Sequence, residues 1–248
     1  MRSRALLVTF DAWKTLITPR EAPAMQYTRL AREHGVNVKE HEVAEGFAKA
    51  FRDVYKKYPN YGKNEGLTPE EWWTKIIHDT FSPISLPPAL PPALLSHFAT
   101  RRAYILHTSI PFLLKSLKAN NQYDHTVIGL ISNSDFRVIS VLRSLGVAIK
   151  SYPPMKIEDE LDGENGTIDF VTLSYDVGVE KPQQRIFEAA FEEAKRKTSG
   201  GEGHEWVKVH IGDDMEKDVL AAQGAGWAGV LWDGEAKPGV LLDMILRK

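Results

Sequence analysis

The chain has 248 residues, 43% apolar and 26% charged, with a formal net charge of -2. That composition is the one expected of a soluble globular chain with one large domain, or a core domain carrying a smaller insert. It offers no broad basic field for nucleic acid. With no cysteine it excludes disulfides and thiolate metal sites, which fits a reducing compartment.

Met1-Arg2-Ser3-Arg4 leads directly into an apolar run and leaves no room for a leader peptide in the chain as it stands. No apolar run approaches the roughly 20 residues needed to span a bilayer. The expected location is the cytosol, with the nucleus also permitted, and no membrane partner is expected.

Residues 5–10 are apolar and stop abruptly at Asp11, the pattern of a buried strand. From Thr18 to His107 the sequence reads as almost wholly helical. Residues 25–34 close on Gly35, a C-cap residue. Residues 43–58 repeat the amphipathic pattern and run into the turn cluster Tyr58-Pro59-Asn60-Tyr61-Gly62. Thr68-Pro69-Glu70-Glu71 has the form of a capping box, with Thr68 as cap, Pro69 in the first turn and Glu71 reaching back. Trp72 and Trp73 follow and are assigned to packing, whereas Tyr61 and Lys63 are candidates for substrate contact. Residues 82–92 hold two Pro-Pro pairs and read as a stiff connector. A helix over 93–104 is expected next.

From Ile110 the texture changes to alternating helices and strands. Helices are expected over 110–119, 136–145, 182–197 and 216–225, and strands over 127–131, 170–173, 207–211 and 229–232. This alternation predicts an α/β fold with a parallel sheet covered on both faces. The domain reading is a core of residues 1–17 and 108–248 and a helical cap of 18–107 inserted after strand one. The acidic stretch 156–166 reads as a surface loop and a candidate contact for a protein partner, and 198–203 as a connector. The eight histidines show no metal-ligand spacing and are assigned to surface or packing.

Four segments fall at predicted strand ends: Asp11, Ser132-Asn133-Ser134-Asp135, Lys181-Pro182, and Gly212-Asp213-Asp214 with Asp218 shortly after. Each alone is a turn, a cap or a solvated charge. In a parallel sheet all four meet on one edge, where such sheets bind ligands. A carboxylate there can attack phosphorus. Mg²⁺ takes a few carboxylate oxygens together with substrate phosphate and water, and Asp11 and Asp213 can supply them. Ser132 can donate to phosphate oxygens, and Lys181 can neutralise charge developing in the transition state.

These segments, FDAWKTL, GLISN, EKPQQRIF and HIGDDMEKD, resemble the four motifs of the haloacid dehalogenase superfamily. The resemblance runs over essentially the whole chain. It implies a five-stranded Rossmann-like sheet with a helical cap after strand one. Asp11 would be the nucleophile. Mg²⁺ would be held by Asp11, the Trp13 carbonyl and Asp213, with Asp218 or Asp214 in support. Ser132, Asn133 and Lys181 would bind phosphate, and the substrate would be a small phosphorylated molecule. One position departs. Phosphatases of this family carry a second Asp two residues after the nucleophile, as acid and base, and here that residue is Trp13. Indole has one N–H donor and no usable pKa. General acid–base help is worth about 10² to 10⁴ in rate, so phosphatase chemistry is expected to be weak or confined to reactive phosphates. Family dehalogenases carry Tyr at this position, which raises a 2-haloacid reading. Asp213 weighs against it, since those enzymes work without a metal. A binding or scaffold role on the same fold is the remaining alternative.

Overall fold

The computed structural model describes residues 3–150, 164–198, 203–232, 234 and 237–247. Two compact units are present: Met1–Thr18 together with Leu106–Lys248, and Pro19–Ile105.

The first unit is built on β1 (Arg4–Phe10), whose run Leu6, Leu7, Val8 and Phe10 is wholly buried. A continuous apolar strand of this kind suits only a position covered on both faces. A short strand, β2 (Ile17–Pro19), follows a tight loop, and at the far end of the helical unit it meets its partner β3 (Tyr104–Leu106).

Between β2 and β3 lie α1 (Pro23–Glu33), α2 (Glu40–Lys57), a 3-10 turn at Asn60–Glu65, α3 (Pro69–Phe81) and α4 (Leu90–His97). The capping box at α3 is formed: Thr68 Oγ1 accepts from the Glu71 amide at 3.2 Å, and the Glu71 carboxylate accepts from the Thr68 amide at 2.8 Å. Trp72 is buried, and its indole donates to the Tyr58 carbonyl at 2.8 Å. Tyr61, expected to face substrate from an open turn, packs its ring 5.0 Å from that of Trp72.

Two sequence expectations need correction in this unit. The stretch 18–107, read as almost wholly helical, also holds strand residues near its two ends, where β2 and β3 pair with each other. The helix expected at 93–104 starts earlier, at Leu90, and ends at His97. Pro91 and Pro92 sit in its first turn, where a missing N–H costs nothing.

After β3 the chain alternates: α5 (Ile110–Ala119), β4 (His125–Ser132), α6 (Arg137–Ser144), β5 (Ala148–Ile149), β6 (Thr167–Ile168), β7 (Phe170–Leu173), α7 (Ser174–Val177) and α8 (Arg185–Arg196). Then come β8 (Glu205–Gly212), a π-helical turn at Met215–Leu220, α9 (Ala221–Gly224), β9 (Ala228–Leu231) and α10 (Pro238–Leu246). Among the described residues the main sheet has five strands in the order β7-β4-β1-β8-β9, every neighbouring pair parallel. On one face Leu7, Val127, Ile131 and Phe170 pack with Ile186, Phe187 and Ala190 of α8 and with Ala221 and Ala222 of α9. The pair β5–β6, the helix α10 and the π-helical form of the turn after β8 were not anticipated from sequence. Residues 151–163 of the acidic loop and 199–202 of the connector lie outside the described residues. Among the described residues, no helix is long and apolar enough to cross a membrane.

Candidate active site

Register brings the strand ends together. Phe10 stands beside Leu130 of β4 and Ile211 of β8, so Asp11, the Ser132 segment and Asp213 emerge on one edge. Asp11 is fixed there by its amide, which donates to the Ile211 carbonyl at 2.8 Å. The loop beyond folds back on itself. The Ala12 carbonyl accepts from the amides of Leu16 and Ile17, and the Lys14 amide donates to the Ile17 carbonyl at 2.7 Å. Lys14 holds φ 61°, a left-handed backbone that favours glycine.

Lys181 is the centre of the charge arrangement. Its buried ammonium donates to Asp11 Oδ1 at 2.7 Å, to Asp218 Oδ1 at 2.6 Å and to the Ile131 carbonyl at 2.9 Å. Its backbone is gripped on both sides by Asn133, whose amide nitrogen donates to the Lys181 carbonyl at 2.9 Å while its oxygen accepts from the Lys181 amide at 2.7 Å. Asn133 therefore has a positioning role that the sequence reading did not assign.

Asp218 reaches this point because of the π-helical turn. Asp214 caps that turn, accepting from the amides of Glu216 and Lys217 at 3.0 Å. Its carboxylate is thus turned to the turn's own amides. Asp218 Oδ2 accepts from the Asp214 amide at 3.0 Å and packs against Gly212. A β-carbon at Gly212 would stand 2.1 Å from Asp218 Cγ, so only glycine fits. Asp11, Asp213 and Asp218 offer carboxylate oxygens all within 4.8 Å of one another.

His210 was assigned to surface or packing, and the structure gives it more to do. It is fully buried on β8, with Nε2 3.2 Å from Asp218 Oδ1 and Nδ1 2.8 Å from Thr9 Oγ1. An ionised Asp218 can only accept, so Nε2 carries the proton and Thr9 donates to Nδ1. The signal in the sequence was a polar residue inside the apolar strand VKVHIG.

These contacts set the charge states. Burial lifts the Asp11 carboxyl above its ordinary range, with the Asp218 charge adding to the effect and Lys181 opposing it. Burial works against the Asp218 carboxylate too, but the hydrogen bond from His210 and the Lys181 charge overcome it and hold that group far below the usual range. Burial pulls Lys181 down, and the charges of Asp11 and Asp218 more than restore it. Asp213 is raised by partial burial, with the exposed Lys14 ammonium 3.9 Å away.

These groups line a cavity of about 230 Å³ that includes Asp11, Trp13, Asn133, Lys181, Asp213 and Asp218. Bulk water takes about 30 Å³ per molecule, so the space suits a small ionic cluster. Ser132 is fully buried at the end of β4 and bonds to Ser134 Oγ at 2.8 Å. Trp13 Nε1 donates to the same Ser134 oxygen at 2.6 Å.

The model of the haloacid dehalogenase-like hydrolases matches residues 6–226. The chain belongs to this family. A hydrolase of Schizosaccharomyces pombe is 36% identical over 221 residues, covering 89% of this chain and 87% of the relative. Among solved structures, an L-2-haloacid dehalogenase superposes with a TM-score of 0.64 at 15% identity, covering 99% of this chain and all of the other. A family enzyme of Bacteroides thetaiotaomicron, in complex with magnesium and inorganic phosphate, gives 0.56 at 16% identity over 96% and 98%. At such identities the structural likeness shows the fold alone.

Proposed function

We propose that this family member is a Mg²⁺-dependent phosphohydrolase acting on small, reactive phosphate esters or anhydrides. The observation that supports it best is the ion cluster: Lys181 between Asp11 and Asp218, with Asp213 close by and half-buried.

The donor set fits a hard divalent cation. All three side chains offer oxygen, as Mg²⁺ requires. Lys181 occupies Oδ1 of Asp11 and of Asp218. Among the described residues no hydrogen bond reaches Asp11 Oδ2, which leaves that atom and Asp213 as the open ligands, with the Trp13 carbonyl and Asp218 completing the proposed set. When bound, the cation would supply positive charge that favours ionised Asp11 and draws phosphoryl oxygens. A solved relative that holds magnesium and inorganic phosphate is consistent with this reading.

In the proposed reaction a carboxylate oxygen of Asp11 attacks phosphorus, and the bond from phosphorus to the leaving oxygen breaks. Lys181 offsets negative charge on the phosphoryl group as it transfers. Ser132 donates to a phosphoryl oxygen. Water then attacks the aspartyl-phosphate and releases phosphate. The leaving oxygen receives no proton from position 13, since the Trp13 N–H is given to Ser134. Leaving groups that are stable as anions are therefore favoured, such as phenolates and carboxylates. The half-buried Asp213 beside Asp11 argues for a cation-dependent reaction over metal-free dehalogenation.

The test is phosphate release from p-nitrophenyl phosphate and acetyl phosphate with Mg²⁺, beside Asp11→Asn. Turnover by the wild type that is lost in Asp11→Asn supports the proposal. Equal slow release by both proteins overturns it and leaves a binding module. Chloride release from a 2-haloacid without metal would favour the dehalogenase reading.

A further inference from the structure

Trp13 stands where the phosphatases of this family hold their acid and base, and its indole is not idle. Trp13 Nε1, Ser134 Oγ and Ser132 Oγ form a chain with steps of 2.6 and 2.8 Å. Ser132 and Ser134 are both buried. Three protons belong to this chain, one on the indole and one on each hydroxyl, and the two bonds use two of them. One hydroxyl proton is left over. The indole can only donate, so Ser134 necessarily accepts at that end. If Ser132 donated to Ser134, the Ser134 proton would have no acceptor among the described residues, and an anion at Ser132 could not supply one. If Ser134 donates to Ser132, the surplus proton sits on Ser132, the last residue of β4 and just as buried, and an anion bound at this strand end is what accepts it. The Lys181 ammonium touches the carbonyl of the preceding residue, Ile131, at 2.9 Å.

We infer that Trp13 is a positioning residue for anion binding: its N–H sets the direction of a relay, Trp13 to Ser134 to Ser132, that presents the Ser132 hydroxyl as a donor to a phosphoryl oxygen. This rests on the phosphate-binding reading of the site given above. The substitution at position 13 then removes the proton donor for the leaving group and adds a fixed donor chain behind the phosphate. An anion completes the chain and polarises it, which strengthens each bond in it.

The experiment measures binding of inorganic phosphate calorimetrically with saturating Mg²⁺. The proteins are wild type, Trp13→Phe, Ser134→Ala and the double variant, each checked for folding by thermal melting. The relay requires phosphate binding about five- to tenfold weaker in either single variant, the loss expected for one misdirected hydrogen bond. The double variant should be no weaker than the worse single one, because both break the same chain. A second readout is the Trp13 indole proton in the NMR spectrum, identified among six tryptophans by its loss in Trp13→Phe. It should move downfield as phosphate is added. If Trp13→Phe does not fold, Ser134→Ala and the wild-type indole shift decide. Wild-type affinity in the folded single variants, or an indole proton unmoved by bound phosphate, overturns the relay while leaving the site reading intact. Failure of the wild type itself to bind phosphate with Mg²⁺ overturns the site reading, and the relay with it.

Discussion

Asn133 holds Lys181 by both of its backbone polar groups, at 2.9 and 2.7 Å. A side-chain amide carries a donor and an acceptor on neighbouring atoms, so it can give to a peptide carbonyl and accept from a peptide N–H at once. The clamp fixes where the Lys181 ammonium stands between Asp11 and Asp218. Asn133→Ala should cost about 1–3 kcal/mol in stability, because two backbone groups lose their partners. Activity in the phosphate-release assay should fall further than the same loss of stability would explain at 25 °C. An Asn133→Ala protein with wild-type turnover would show that Lys181 needs no clamp.

The sheet was legible because its strands are written as largely apolar runs, such as Leu6 to Phe10 with Thr9 its one polar member, followed by a polar residue at the carboxyl end. Residues 110–119 were read as a helix, and α5 spans Ile110–Ala119. What stayed hidden depends on long-range contact. β2 and β3 are three residues each and gain their pairing from one another, more than 80 positions apart in the chain. The π-helical turn looks like an ordinary helix start in sequence; its form follows from Asp218 being drawn to Lys181 and the Asp214 amide. For the candidate site, Asp11, Lys181, Asp213 and Asp218 could be listed from their strand-end positions. The roles of Asn133, Ser134 and His210 could not, since each is defined by what it touches.

Asp218 is the residue whose loss should harm the fold most. It stands against Lys181, His210 and the Asp214 amide at once. Asp218→Ala leaves the buried ammonium with Asp11 as its one carboxylate partner, beside the Ile131 carbonyl, and takes away the acceptor of the His210 N–H. Breaking a buried pair from one side costs about 3–5 kcal/mol. Urea unfolding should show the unfolding free energy lowered by that amount, read as a lower midpoint at unchanged slope. Gly212→Ala should produce a related defect by a different route, because its methyl group would displace Asp218.

His210 makes stability depend on pH. Burial lowers its pKa from the ordinary 6.5, so the folded protein keeps it neutral. The unfolded chain binds a proton there once pH falls below about 6.5, and the folded chain does not. Stability from this group is therefore full above pH 6.5 and declines as pH falls toward the lowered folded value, by at most about 1.4 kcal/mol per unit. His210→Gln should flatten the difference between pH 7 and pH 5.5, measured by urea unfolding in chelator. His97, also lowered by burial, is present in both proteins and cancels from the comparison. An identical pH slope in wild type and His210→Gln would mean that His210 is not the group responsible.

Lys14 carries a strain that glycine would release. Its φ of 61° brings Cβ close to the following carbonyl, at a cost of about 1 kcal/mol for a residue with a side chain. The same residue places an ammonium 3.9 Å from Asp213, but with the lysine side chain 77% exposed that contact adds little stability. Lys14→Gly should therefore raise the melting temperature by no more than about 2 °C in the absence of metal, because the greater freedom of glycine in the unfolded chain offsets most of the strain released. It also removes a cation beside Asp213, so Mg²⁺ affinity should rise, since a positive charge no longer competes for that carboxylate. Calorimetric titration of Mg²⁺ into both proteins decides the second point. Weaker Mg²⁺ binding in Lys14→Gly would place the cation away from Asp213, and the ligand set proposed for it would have to be redrawn.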